Sequence, residues 1–361
     1  MRKRVLVPSV LLGDAARVFE EGGVEVVYAL PQELRDLGDP EQSEQRRAAY
    51  DAAMEDRLPE AHALSAIGLG AHLQVTAELL DSAPNLEVVF VPSAGTETID
   101  VDAATERGIA VVNAAGNNYV SVAEHAVGLM LSLSRMIALC DRFAHREARS
   151  ASALELGGRW PGILHGRTVG LLGFGFTGRE LARICTTAFA MRALAYDPFF
   201  HPTEAERQGV ELVDDLDRLL VESDFLSVHT PLTPETRHIV GSDELVKMKP
   251  TAYLVNTSRG GTIDTEALVH ALRTKQIAGA GLDVSDPEPL PDGHPLFSIE
   301  NVILTPHIAG AAPEMIARAG EMSAADTVRA LTGARPRNLV NPEVWPAFDA
   351  RLKGGLVGEA P

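Results

Sequence analysis

The segment Thr168–Glu180, TVGLLGFGFTGRE, constrains this chain more than any other. An apolar run leads into Gly173, Gly175 and Gly178, and a helical pattern follows through Leu181–Thr186. A G-x-G-x-x-G triplet recurs in many turns, but between a strand and a helix it acquires a mechanism. Gly173 permits a tight turn, Gly175 lets the backbone approach a pyrophosphate, and Gly178 lets the helix pack on the strand. The phosphates then meet the free N–H groups and dipole of the helix N-terminus. The next strand candidate ends at Tyr196-Asp197, 24 residues past Gly173. A carboxylate there accepts a ribose 2′-hydroxyl and repels a 2′-phosphate, which favours NAD over NADP. The plainer alternative is that Asp197 caps the turn before Pro198.

Short β-branched runs alternate with longer amphipathic stretches along the rest of the chain, the pattern of parallel sheets with crossover helices. Early strand candidates are Arg4–Val7, Val24–Ala29, Ala66–Leu69, Val88–Val91 and Ala110–Val112, with helices over Gly13–Glu21 and Ala77–Ser82. The polar segment Pro31–Pro59 reads as an exposed loop followed by a helix. Ser121-Val-Ala-Glu124 fits a capping box that would open a long apolar helix running to Cys140. Later strand candidates are Thr168–Leu172, Ala193–Tyr196, Phe225–Val228, Ala252–Asn256, Gly279–Asp283 and Val302–Leu304. The stretch after Asn341 is rich in Pro and Gly and reads as a loose end. Two α/β units in series are expected.

A length of 361 residues exceeds one typical core and agrees with two domains. A net charge of −18 argues against a nucleic-acid partner, because phosphate backbones repel an acidic surface. Two cysteines, Cys140 and Cys185, make a disulfide framework implausible, and no Cys/His cluster has zinc spacing, so no metal is expected. The N-terminal apolar run is broken by Pro8 and ended by Asp14, so a first strand describes it better than a signal peptide. The apolar helix carries Glu124, His125 and Arg135 and is unsuited to a bilayer. The expectation is a cytoplasmic protein with no membrane partner.

Three chemically unusual segments follow strands in the second half: Asn256-Thr257-Ser258-Arg259-Gly260, Asp283-Val-Ser-Asp-Pro-Glu288-Pro289 and Thr305-Pro306-His307. Ligands of open parallel sheets gather at the carboxyl ends of strands, so an Arg, a Glu and a His could converge there. An Arg fork can hold a carboxylate and polarise the adjacent carbonyl. A His can give a proton to that oxygen as hydride reaches carbon, and a Glu can orient it and stabilise the imidazolium. Taken singly, each is more simply a surface Arg, a turn charge or a satisfied loop histidine; their joint placement carries the reading.

With GFGFTGRE and Asp197, the segments HTPLTPETRHIV (His229–Val240), NTSRGGTID (Asn256–Asp264), GLDVSDPEPL (Gly281–Leu290), HPLF (His294–Phe297) and NVILTPHIAG (Asn301–Gly310) resemble the D-isomer-specific 2-hydroxyacid dehydrogenases, of the glyoxylate/hydroxypyruvate reductase kind. The resemblance covers nearly the whole chain. It implies an α/β fold of two Rossmann-like domains, each a doubly wound parallel sheet. An NAD-binding domain over 113–312 would be inserted into a discontinuous flavodoxin-like substrate domain over 1–112 and 313–345, leaving 346–361 as a tail. Hinges would lie near Ala114–Asn118 and Pro306–Ala312.

The resemblance also implies roles. Arg259 would bind the substrate carboxylate and carbonyl, and His307 would be general acid in reduction and base in oxidation, with Glu288 as partner. Phe176 and Thr177 would give backbone contacts to the pyrophosphate. Thr230 and Pro231 would line the adenosine side, and Thr257 and Asp283 would position the nicotinamide amide. His229, Ser258 and Gly310 complete the cofactor set, which shares His307. Ser93-Ala94-Gly95 matches a loop whose N–H groups face the substrate carboxylate, although Ser93 and Glu97 stand where Gly and Asp are frequent, and Ala115 replaces a frequent proline. A tight strand-end turn is the alternative there.

The Gly68–His72 loop would meet the distal end of the substrate; it lacks Arg and Lys, which disfavours a phosphorylated one. Glu288 disfavours formate oxidation. The small 2-keto or 2-hydroxy acid stays open. A homodimer formed through the nucleotide domain is expected. A cofactor-sensing role like that of the family's corepressors is the second reading. An adenosyl-thioether hydrolase on a similar fold would leave Arg259, Glu288 and His307 unexplained.

Overall fold

The structure is a computed structural model and describes residues 2–35, 42–68, 73–147 and 160–357. The chain divides into two compact units, Met1–Asn118 with Ala312–Pro361, and Tyr119–Ala311.

In the first unit a parallel sheet of five strands runs β2-β1-β3-β4-β5, with β1 Arg4–Val7, β2 Glu25–Tyr28, β3 Ala63–Ser65, β4 Val88–Phe90 and β5 Ala110–Val112. This is the flavodoxin-like order. Strands β1, β3, β4 and β5 are buried on both faces, which is why they read as unbroken apolar runs and not as alternating ones. The third strand lies at Ala63–Ser65, ahead of the expected Ala66–Leu69, because Ala63 and Leu64 pair with Val5 and Leu6. A run as apolar as ALSAIGL carries no internal marker of register. Residues 69–72, and with them most of the Gly68–His72 loop, lie outside the described residues.

The first unit is completed by chain that returns after residue 311. The Pro313–Leu331 helix packs on the Ala15–Glu21 helix and β4. Composition after Asn341 predicts a loose end, but a helix forms over Trp345–Val357. Its Phe348 is fully buried with Val344 in the core beneath β1 and β5, and Arg351 donates to the Gly108 carbonyl. Burying one Phe contributes about 2–3 kcal/mol, enough to order a short segment whose composition alone disfavours it.

The second unit holds a parallel sheet of seven strands in the order β12-β11-β10-β9-β6-β7-β8. These are β6 Thr168–Leu172, β7 Arg192–Tyr196, β8 Glu211–Leu212, β9 Phe225–Val228, β10 Tyr253–Asn256, β11 Gly279–Leu282 and β12 Val302–Leu304. The order reverses at β6, between β7 and β9, which makes the carboxyl ends there the ligand crevice of a doubly wound sheet. The two-residue β8 escapes sequence reading because it is too short to show a period.

The apolar helix begins at Tyr119, so Ser121 lies inside its first turn and is not its cap. The capping-box spacing is matched by residues already within the helix. It also ends at Ser134, short of Cys140, because Met136 takes a left-handed φ of 56° and a second helix restarts at Ile137. Ala123, Ala126, Leu129, Met130 and Leu133 form a buried face against the sheet. Among the described residues no single helix is long and apolar enough to cross a membrane. The two bent segments that pass together, Tyr119–Ser134 and Ile137–His145, meet at 63°.

Candidate active site at the strand ends of the second unit

The glycine fingerprint is the turn between β6 and the Phe176–Phe189 helix. Gly173 has φ +94°, and a Cβ there would lie 2.9 Å from the His229 carbonyl carbon; any other residue would be both strained and crowded. A Cβ on Gly178 would meet the Gly173 carbonyl oxygen at 2.5 Å, so the helix sits directly on the turn. At Gly175, exposed at the helix cap, a Cβ would meet nothing. The fingerprint therefore leaves open space at its middle glycine and is closed at the other two. Phe176 is exposed at the first helical position, its ring flanked by Tyr119 at 5.9 Å and the Arg179 guanidinium at 5.0 Å. Thr177 is half-buried beside it.

Asp197 ends β7 and reaches back to this turn. Its Oδ2 accepts the Phe174 N–H at 2.8 Å, and its Oδ1 accepts the Phe199 N–H at 2.9 Å. The carboxylate thus caps the turn after it and braces the glycine turn, and each oxygen keeps a lone pair for a further donor.

Three of the remaining predicted cofactor residues carry buried polar atoms without partners. His229 Nε2, Thr230 Oγ1 and Thr257 Oγ1 are all buried and have no hydrogen-bond partner among the described residues. Leaving such groups unsatisfied is costly, so three of them at the carboxyl ends of adjacent strands β9 and β10 fit a polar ligand seated there. Burial also holds the His229 imidazole down to about 4. A dinucleotide fits this set: an open glycine, a free helix N-terminus, a carboxylate at the second strand and orphaned donors along the rim.

The chemistry-bearing loops follow β10, β11 and β12. Asn256, 1% exposed, organises the first. Its Oδ1 accepts the Ser258 N–H and hydroxyl, and its Nδ2 donates to the Arg259 carbonyl at 2.9 Å. Ser258 therefore spends its hydroxyl proton inside the loop. Arg259 is half-buried, with one guanidinium nitrogen donating to the Ser258 carbonyl. The loop abuts the next one closely: a Cβ on Gly260 would lie 1.9 Å from the Ser285 carbonyl oxygen.

That neighbouring loop brings Glu288 Oε1 to 2.6 Å from His307 Nδ1. The short distance marks a charge-assisted bond and leaves Nε2 as the ring nitrogen available to another molecule. His307 has φ +54°, a left-handed conformation that a non-glycine residue adopts only when its surroundings impose it. Asp283 imposes it. Its carbonyl accepts the His307 N–H at 2.7 Å. Its carboxylate, 1% exposed, accepts from Ile308 N–H at 3.0 Å, Ala309 N–H at 2.8 Å and the Thr305 hydroxyl at 2.6 Å. Asp283 is thereby a loop former, with both oxygens committed to residues around His307. Gly310 follows in the same turn.

The structure thus brings Arg259, Glu288 and His307 to one edge of one sheet. Asn256 and Thr305, which hold these loops, carry no signal in sequence beyond lying within three residues of Arg259 and His307. In the first unit, Ser93–Gly95 forms a turn after β4: the Ser93 hydroxyl donates to the Gly95 carbonyl, and Asn113 and Ala114 donate to the Ala94 and Ser93 carbonyls. The N–H groups of Ala94 and Gly95 donate to no described residue. Among the described residues no cluster of His, Cys, Asp and Glu could hold a metal ion.

A doubly wound dinucleotide-binding sheet whose strand ends carry a carboxylate-paired histidine and an arginine defines a nucleotide-dependent oxidoreductase class. A family model described as the D-isomer specific 2-hydroxyacid dehydrogenase, NAD binding domain, matches residues 127–309. The chain is 42% identical to a glyoxylate reductase of Korarchaeum cryptofilum over 270 residues, 75% of this chain and 80% of that one. It is 39% identical to a D-3-phosphoglycerate dehydrogenase of Archaeoglobus fulgidus over 297 residues, 81% of this chain. It spans 54% of that relative's length, and 59% of a second D-3-phosphoglycerate dehydrogenase, from Methanocaldococcus jannaschii. The apo D-mandelate dehydrogenase of Rhodotorula graminis superposes with a TM-score of 0.79 at 28% identity, over 94% of this chain and 98% of that one. The chain belongs to the D-isomer-specific 2-hydroxyacid dehydrogenase family, and its second unit carries the family's NAD-binding domain.

Proposed function

We propose that the protein reduces a small, unphosphorylated 2-keto acid to the D-2-hydroxy acid, and catalyses the reverse reaction, with NAD(H) as cofactor. The observation that carries this reading is the 2.6 Å pair between His307 and Glu288 on the sheet edge that also holds Arg259. NADH, when bound, supplies the hydride. His307 gives the Nε2 proton to the carbonyl oxygen as C2 takes that hydride, and retrieves it in oxidation. Glu288 holds the ring through Nδ1 and stabilises the imidazolium. Arg259 grips the substrate carboxylate and the carbonyl oxygen. Asp197 supports NADH over NADPH.

Among the relatives, the glyoxylate reductases match with the higher identity and over most of their own length. The absence of Arg and Lys from residues 68–72 supports the same choice. The test is absorbance loss on mixing NADH with a panel of 2-keto acids that includes glyoxylate, hydroxypyruvate and a 3-phosphorylated analogue, with NADPH and His307→Ala alongside. Turnover of an unphosphorylated acid, lost in the variant, is expected. Tight NADH binding without turnover of any acid would replace this reading with a cofactor-sensing one.

A cytoplasmic homodimer formed through the second unit belongs to the same proposal. It is supported by the exposure of Ile137 (54%), Trp160 (80%) and Ile163 (54%) on that unit. Sedimentation at micromolar concentration reads it, and a purely monomeric species would refute it.

A further inference from the structure

We infer that His125 is a positioning residue for His307, acting through the hydroxyl of Thr305 and the carboxylate of Asp283. His125 lies on the Tyr119–Ser134 helix, which sits unusually close to β11: a Cβ on Gly281 would be 3.0 Å from the Leu129 Cβ. That approach carries His125 to the end of the strand, where its Nε2 lies 3.0 Å from Thr305 Oγ1 and 3.6 Å from Asp283 Oδ1. Donor counting then fixes the tautomer. A threonine hydroxyl has one proton. Asp283 is an acceptor, and Thr305 Oγ1 stands 2.6 Å from it, so that proton points to Asp283. The bond between His125 and Thr305 must therefore be donated by His125, which carries its proton on Nε2.

His125 closes a chain of directed bonds. It holds the Thr305 hydroxyl, Thr305 completes the set of donors on Asp283, and Asp283 holds the backbone of residues 307 to 309 in the left-handed turn that aims His307. Asp283 Oδ1 already accepts from Ile308, so the hydroxyl and the amide share one oxygen, and a freed hydroxyl would compete for it. The side chain of Asp283 is only 1% exposed, so no bulk water stands in at the carboxylate for a Thr305 hydroxyl that has moved away. A displacement of about 1 Å at an acid/base residue can lower turnover a hundredfold.

The inference rests on His307 being the acid/base of hydride transfer, and its test separates the two. His125→Leu removes the donor and is expected to lower kcat about ten- to a hundredfold while leaving the NADH Kd and the substrate KM within about threefold. His125→Gln, which restores an N–H near the Nε2 position, is expected to recover most of kcat. Thr305→Val should match His125→Leu, and the double variant should be no worse than either single one, because both cut the same chain. Full activity in His125→Leu, no recovery in His125→Gln, or additive losses in the double variant would overturn the inference. If the wild type turns over no 2-keto acid, the functional reading has failed, and the ring nitrogens decide the positioning claim. In ¹⁵N NMR of the unliganded protein, His125 is expected to be protonated on Nε2, and Thr305→Val to shift the His307 ring signals. A His125 ring protonated only on Nδ1, or His307 signals unmoved by Thr305→Val, would refute it.

Discussion

Glu288 holds Nδ1 of His307 at 2.6 Å, which leaves Nε2 as the ring nitrogen without a partner among the described residues. The two residues are 19 apart in sequence and come from loops after different strands, β11 and β12. Their meeting is a consequence of the parallel register that sets Leu282 opposite Leu304.

Glu288→Gln keeps the size and one acceptor but removes the charge proposed to stabilise a His307 imidazolium. Turnover is expected to fall about 10- to 100-fold with little change in NADH affinity. His307→Ala is expected to fall further, about 10²- to 10⁴-fold. Steady-state kinetics with a fluorescence titration of NADH checks both. A Glu288→Gln variant with unchanged turnover would remove Glu288 from the acid/base pair.

The three fingerprint glycines should respond differently to alanine. Gly173→Ala forces a positive φ and a 2.9 Å clash, and is expected to destabilise the fold by about 1–3 kcal/mol. Gly175→Ala meets open space and a φ of −71°, so the melting temperature should stay unchanged while NADH affinity drops. Thermal melts with and without NADH read both. Loss of stability in Gly175→Ala would contradict the open geometry.

Asp197→Ser removes the charge proposed to face the ribose and keeps a short acceptor for one turn N–H. The ratio of kcat/KM for NADPH to that for NADH is expected to rise about tenfold or more. Stability should fall about 1 kcal/mol, because the Phe174 or the Phe199 N–H loses its acceptor. An unchanged cofactor ratio would leave Asp197 with only its turn-bracing part.

His229 couples stability to acid. Burial lowers its imidazole to about 4, below the 6.5 of a free side chain, so the folded protein keeps it neutral where the unfolded chain takes a proton. The stability tied to the neutral ring is complete above pH 6.5, falls as the pH drops through 6.5, and levels off near 4. By pH 5 the loss from this group is on the order of 2 kcal/mol. Urea midpoints at pH 7 and pH 5 for the wild type and His229→Asn check it: the variant should lose less. Equal losses would mean that the ring is protonated in the folded state.

Sequence alone determined what depends on neighbours along the chain. The strands at Arg4–Val7, Ala110–Val112, Thr168–Leu172, Phe225–Val228 and Val302–Leu304 match the expected bounds residue for residue; all but the last are buried on both faces over most of their length, which makes them mainly apolar runs. The glycine turn was equally legible, since its three glycines fall within six residues, although the atoms that crowd Gly173 come from the distant His229. Tertiary structure decided what depends on packing between distant segments. It started the apolar helix at Tyr119 and broke it at Met136, and it ordered a Gly-containing C-terminal helix by burying Phe348. It also turned Asp283 into the anchor of the His307 loop and set His125 against Thr305, 180 residues away. Local propensity carries no information on such contacts; only the stacking of the Tyr119–Ser134 helix on the sheet makes them, and a hydrogen bond exists only once both partners are held in place.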